Sequence, residues 1–115
     1  MSLTFEQLSE ANLRRCEAAF HPLDAWSLTD WMTAVAGECG EAANVIKKLR
    51  RIDIGSGFVR PTEQAAPLLD DLADELADTV IYLDLLAARA GINLGEAVAA
   101  KFNRTSKRVG SEVRL

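Results

Sequence analysis

The chain has 115 residues and a mass of 12.5 kDa, is 49% hydrophobic and 26% charged, and carries a net charge of -4 with a pI of about 5.0. That length predicts one small domain with enough apolar residues for a core, and the acidic balance excludes general nucleic-acid binding, which brings a basic excess. No apolar run approaches the roughly 20 residues of a membrane span. The opening MSLTFEQLSEANLRR carries acids and no apolar core of signal length. The two cysteines, Cys16 and Cys39, form no disulfide framework and fit a reducing, cytoplasmic compartment.

Taken in chain order, the pattern predicts an all-α protein of four helices. The first runs from about Phe5 to Phe20, with Thr4 as N-cap, and ends at His21-Pro22. The second runs from about Leu28 to Arg51, with Ser27 and Asp30 at capping-box spacing. Residues 51–67 read as a loop, because Gly55, Ser56, Gly57, Pro61 and Pro67 break the periodicity. Gly55-Ser56-Gly57 is too short for a phosphate loop, and no lysine follows it. The third helix runs from about Leu68 to Ala90, with Pro67 in its first turn and Gly91 as its C-terminal cap. Asn93 and Glu96 open a fourth, to about Arg108, and the tail VGSEVRL is expected to be loosely held or docked on a neighbour. No strand pattern competes, and no solenoid repeat is present.

Helical spacing then places the acids. At about 100° per residue, Leu28, Met32, Val35, Cys39, Ala42, Ile46 and Leu49 form one apolar stripe on the second helix. Leu68, Leu72, Leu76, Thr79, Leu83 and Leu86 form one on the third. Glu38 and Glu41 fall beside the first stripe, and Glu75 and Asp78 beside the second; the nearer acid is roughly 75–80° from each centre and the farther roughly 135°. Two antiparallel helices so patterned bring four carboxylates together beside the core. Chance alone gives roughly two or three acid pairs at i, i+3, and the chain has three, so spacing by itself is also met by a solvated acidic flank. The matched geometry and the mutual repulsion, a few tenths of a kcal/mol per pair, point to a cation. Oxygen donors without His or Cys select Mg²⁺, Mn²⁺ or Ca²⁺. A di-iron bundle would need Glu-x-x-His on two helices, and the only histidine, His21, lies outside any such motif.

Two basic groups complement the acids: KKLRR, where Lys48 lies seven residues after Glu41, and KFNRTSKR, where Lys101, Arg104 and Arg108 share one side of the fourth helix. Each also reads as an ordinary helix end complementing the dipole. The third helix carries a further apolar set, Ala77, Ile81, Leu85 and Ala88, which predicts a homodimer seam.

Glu38-x-x-Glu41 in GECGEAANVIKKLRR, Glu75-x-x-Asp78 in DELADTVIYL, and the KFNRTSKRVG ending together resemble the MazG-type nucleotide pyrophosphohydrolases of the all-α NTP pyrophosphatase superfamily, relatives of dimeric dUTPases and dCTP pyrophosphatases. The likeness covers about residues 20–110. It implies a four-helix bundle assembling into a homodimer or homotetramer. It also implies Mg²⁺-dependent cleavage of a nucleoside triphosphate between the α- and β-phosphates. Glu38, Glu41, Glu75 and Asp78 would match the metal ligands; among them Glu41, which by spacing points furthest from its stripe, is expected to orient or deprotonate the attacking water. Lys101 and Arg108 would match phosphate-contacting residues, and His21 and Trp31 occupy the region that holds the base. Asn44, where some relatives carry another acid, and Thr105, where deoxycytidine-type members carry asparagine, mean that base preference does not transfer. Two other readings stand beside this one: a helical dimerisation module with solvated or structural-cation acids, and a pyrophosphohydrolase of the same fold acting on another phosphorylated metabolite.

Overall fold

A computed structural model describes residues 2–52 and 63–115. It is all-α, with α1 at Phe5–Arg15, α2 at Leu28–Ile52, α3 at Ala66–Arg89 and α4 at Leu94–Val109, and no strand among the described residues. None of these helices is long and apolar enough to cross a membrane. The Gly55-Ser56-Gly57 reading lies outside the described residues. The backbone packs as two units, Met1–Leu28 with Asp84–Leu115, and Thr29–Leu83.

In the first unit, local chemistry sets the helix ends. Thr4 Oγ1 accepts the Gln7 N–H at 3.1 Å, and Gln7 Oε1 accepts the Thr4 N–H at 2.9 Å, a reciprocal capping box. The α-helix then stops at Arg15. Cys16–Phe20 form a wider π-turn, closed by the His21 N–H on the Cys16 carbonyl at 3.0 Å, where the pattern predicted a continuous α-helix to Phe20. Pro22 supplies no N–H and turns the chain into a short 3₁₀ segment, Leu23–Ala25. Asn93 Oδ1 accepts the Glu96 N–H at 3.1 Å and caps α4 as expected. Gly91 and Gly110, at φ 71° and 75°, end α3 and α4 in the left-handed conformation.

Packing in this unit centres on a buried polar network. Asp84, 2% exposed, accepts Ser9 Oγ at 2.5 Å and Asn12 Nδ2 at 2.9 Å, tying α1 to the end of α3. Buried polar groups persist where they are so satisfied. At the other side of α1, Gly95 sits so close to Phe5 that a Cβ there would lie 2.9 Å from Phe5 Cβ. The C-terminal tail, expected loose or docked on a neighbour, is held by its own helix. The Asn103 amide donates to the Leu115 carbonyl at 3.2 Å and accepts the Leu115 N–H at 2.8 Å.

The second unit is the α2–α3 pair, and here the expected stripes are displaced. The buried residues of α2 are Trp31, Val35, Ala42, Val45 and Leu49, while Leu28, Met32, Cys39 and Ile46 are exposed. Glu38 stands four residues before Ala42 and three after Val35, so it lies in the packed row itself rather than on its flank. On α3 the same holds: Leu68, Leu72, Glu75, Thr79 and Tyr82 are half-buried, while Leu76 and Leu83 are exposed. The proposed seam set also fails, because Leu85 is buried and only Ala77 of the four is exposed. Val45, Leu49 and Ala65 pack with Leu68, Leu69 and Leu72 at one end of the pair. Trp31 meets Tyr82 at the other, ring centroids 6.2 Å apart.

Replacing Asn93 by Ala is expected to lower stability by about 1 kcal/mol through loss of the α4 cap, read as a fall in the urea midpoint at unchanged slope.

Candidate metal centre

Between the apolar end and the aromatic end of the α2–α3 pair stand the acids. One carboxylate oxygen each from Glu38, Glu41 and Glu75 lie within 4.8 Å of one another. Heptad logic explains the convergence. Glu38 and Glu75 occupy inward positions of their rows, and Glu41 follows Glu38 by three residues, about 60° round the helix. Glu38 and Glu75 are half-buried and Glu41 is exposed.

Glu38 Oε2 and Glu75 Oε2 are buried and have no hydrogen-bond partner. Such orphans are rare, because desolvating a carboxylate oxygen without a partner is costly. Burial raises the Glu38 carboxyl above its ordinary value, and the Glu41 and Asp78 carboxylates beside it raise it further. For Glu75 the shared hydrogen bond with Glu41 comes first, then burial and the Glu41 charge, and its pKa is pushed up to about 7. Like charges in one site cannot all ionise cheaply. A proton held between carboxyls meets this need without a cation, and a divalent ion meets it better. The residues fit such an ion: every donor is a hard oxygen, two buried lone-pair sites are unused, and no histidine or cysteine joins the cluster. Asp78 is exposed and stands outside the 4.8 Å group, acting on Glu38 through its charge.

The other expected site residues are placed as follows. Lys48 is exposed on α2, two turns beyond Glu41 on the same row. Lys101 and Arg108 are exposed on α4. Trp31 is only 1% exposed, so it has no free ring face to offer a base, and it serves as packing against Tyr82. His21 is half-buried and stacks on Trp26, centroids 4.6 Å apart. Two residues were not singled out by the sequence. Tyr82 lies seven residues after Glu75 and shares its row by spacing, but its contact with Trp31 is a tertiary one. Trp26 meets His21 only because Pro22 and the 3₁₀ turn fold the chain back, which no periodicity reveals.

The raised Glu75 carboxyl carries a stability sign. The folded state holds its proton up to about pH 7, whereas the unfolded chain releases it near 4.5, so metal-free protein loses stability as pH rises between these values. Thermal unfolding in EDTA is therefore expected to show Tm falling from pH 5 to pH 8, with Mg²⁺ suppressing the fall and Glu75→Gln flattening it. A Tm that rises across that window in EDTA would contradict the shared-proton arrangement.

Comparison with known proteins finds relatives of one name. The dCTP pyrophosphatase 1 proteins of Rattus norvegicus and Mus musculus are each 32% identical to the chain over 101 residues, covering 84% of it and 56% of the relative. The Bos taurus protein of the same name is 32% identical over 101 residues, covering 84% and 57%. The chain spans little more than half the length of these curated relatives. No family model matches the chain, and no solved structure does. With its all-α architecture and its paired carboxylates on α2 and α3, the chain is similar over most of its length to dCTP pyrophosphatase 1, a likeness consistent with the MazG-type resemblance of its motifs.

Proposed function

We propose that the protein hydrolyses a nucleoside triphosphate to the monophosphate and pyrophosphate with Mg²⁺. The observation that carries this reading is the Glu38–Glu41–Glu75 cluster with its two buried, unpartnered oxygens. The name of the relatives, dCTP pyrophosphatase 1, supports the reaction class and makes dCTP the first substrate to test.

Glu38, Glu41, Glu75 and Asp78 would hold the ion, which when bound supplies neutralisation of phosphate oxygens and a lowered pKa for water. The two inward acids, Glu38 and Glu75, are fixed by packing and serve as anchors. Glu41 is the exposed member and is free to accept a proton from the attacking water or to orient it. Lys101 and Arg108 would offset charge on the departing pyrophosphate, with Lys48 along the Glu41 row as a further phosphate contact. His21, stacked on Trp26, is the aromatic surface proposed for the base.

The partner proposed for the α2–α3 pair is a second copy of the chain. Met32 and Ile46 on α2 are 51% and 50% exposed, and Leu76, Val80 and Leu83 on α3 are 52%, 45% and 39% exposed. Side chains of this kind spaced along helices in rows are what an obligate helical dimer buries.

In an assay of each common ribo- and deoxyribonucleoside triphosphate with Mg²⁺, equimolar monophosphate and pyrophosphate are expected. EDTA should remove the activity, and Glu38→Gln or Glu75→Gln should reduce it by at least about a thousandfold while helicity by circular dichroism is kept. Retention of substantial turnover in both variants would remove the carboxylates from the reaction. Light scattering at micromolar concentration is expected to give a dimer or tetramer, and Ile46→Asp with Leu76→Asp to give a monomer. A wild-type monomer would refute the seam.

A further inference from the structure

The first unit contains a groove that the proposed reaction does not use. It is a cavity of about 790 Å³ along α1, the last turns of α3 and the start of α4. Its apolar lining is Phe5, Leu13, Ala88 and Ile92, and Phe5 and Ile92 are 44% and 52% exposed. Four carboxylates border it, those of Glu6, Glu10, Asp84 and Glu96. No lysine, arginine or histidine lines it, although the chain has 13 Lys and Arg.

The arrangement along α1 has a direction. Phe5, Ser9 and Leu13 follow at four-residue steps and form one row; Glu6 and Glu10 form the adjacent row. From Phe5 to Leu13 is about 12 Å at 1.5 Å per residue, or two helical turns. Asp84 stands at the groove wall with both its donors neutral, Ser9 and Asn12, so the hydrogen bonds that hold it cancel no charge. The Phe5–Gly95 approach of 2.9 Å for a built Cβ fixes α1 tightly against α4 at one end, so the walls are set before anything docks.

We propose that this groove docks an amphipathic, basic helical segment of a partner polypeptide. Apolar anchors of such a helix at i, i+4 and i+7 cover Phe5, Leu13 and Ile92, and its Lys or Arg flank faces Glu6, Glu10 and Glu96. Charge complementarity selects a cationic partner, and the apolar lining of Phe5, Leu13, Ala88 and Ile92 selects an amphipathic helix over a polyamine, which brings no apolar side chains.

The test is selection of a random 16-residue display library against the full-length protein, followed by titration of the enriched peptides by fluorescence anisotropy. Enriched sequences are expected to combine Lys or Arg with apolar residues at i, i+4 or i+7. Their affinity should fall about tenfold or more in Glu6→Lys/Glu10→Lys, in Leu13→Gln, and at 0.5 M NaCl. Circular dichroism and triphosphate hydrolysis should be unchanged in both variants. The proposal is overturned if no sequence enriches, if the enriched peptides lack basic residues, or if they bind both variants as well as wild type. It is equally overturned if spermidine binds the groove while no peptide does, because the site would then be one for small polycations.

Discussion

Two carboxylate oxygens, Glu38 Oε2 and Glu75 Oε2, are buried in the α2–α3 seam with nothing to accept from. A seam of two helices has little stability to spare, since a domain of this size rests on a small difference between large terms. Placing like charges at its centre is tolerable only where something else offsets them. At one side the offset comes from Val45, Leu49 and Ala65 against Leu68, Leu69 and Leu72. At the other it comes from Trp31 against Tyr82. The acids thus stand between an apolar cluster and an aromatic pair.

That placement also explains the division of labour among the acids. Glu38 and Glu75 have their backbones set by the packed rows and their side chains half-buried, which makes them rigid and desolvated. Glu41 and Asp78 lie one turn on and face outward. Half-buried acids beside exposed ones would suit the proposed cation site, the former fixing the ion and the latter open to water.

The first unit is held by different physics. Its junction is polar, the Ser9–Asp84–Asn12 network, and its helix ends are set by local caps. Asp84 is buried but satisfied by Ser9 and Asn12, while Glu6, Glu10 and Glu96 of the groove are exposed and cost little when left to water. The two acid clusters therefore differ in satisfaction: that of α2 and α3 holds buried oxygens without a partner, which the proposed cation would offset, and that of the groove leaves no such oxygen.

Much of the fold was legible without coordinates because it is written locally. Thr4, Asn93, Gly91 and Gly110 act through bonds to residues a few positions away or through their own φ, and the helix class follows from periodicity over long segments. The carboxylate pairs were legible because i, i+3 spacing is a property of one helix. The inward face of α2 was not. Leu28, Met32, Cys39 and Ile46 form one apolar row, and Trp31, Val35, Ala42, Val45 and Leu49 another about 70° away, so periodicity averages the two. Reading the average put Glu38 on a flank. Only pairing with α3 decides that the second row is packed and the first exposed. The same holds for Trp31, whose burial depends on Tyr82 some fifty residues later, for the His21–Trp26 stack made by a turn, and for the tail bound by Asn103. The sequence by itself determined helices, caps and acid spacing, since these are short-range; which side of each helix is inside is a long-range choice, and the tertiary structure alone made it.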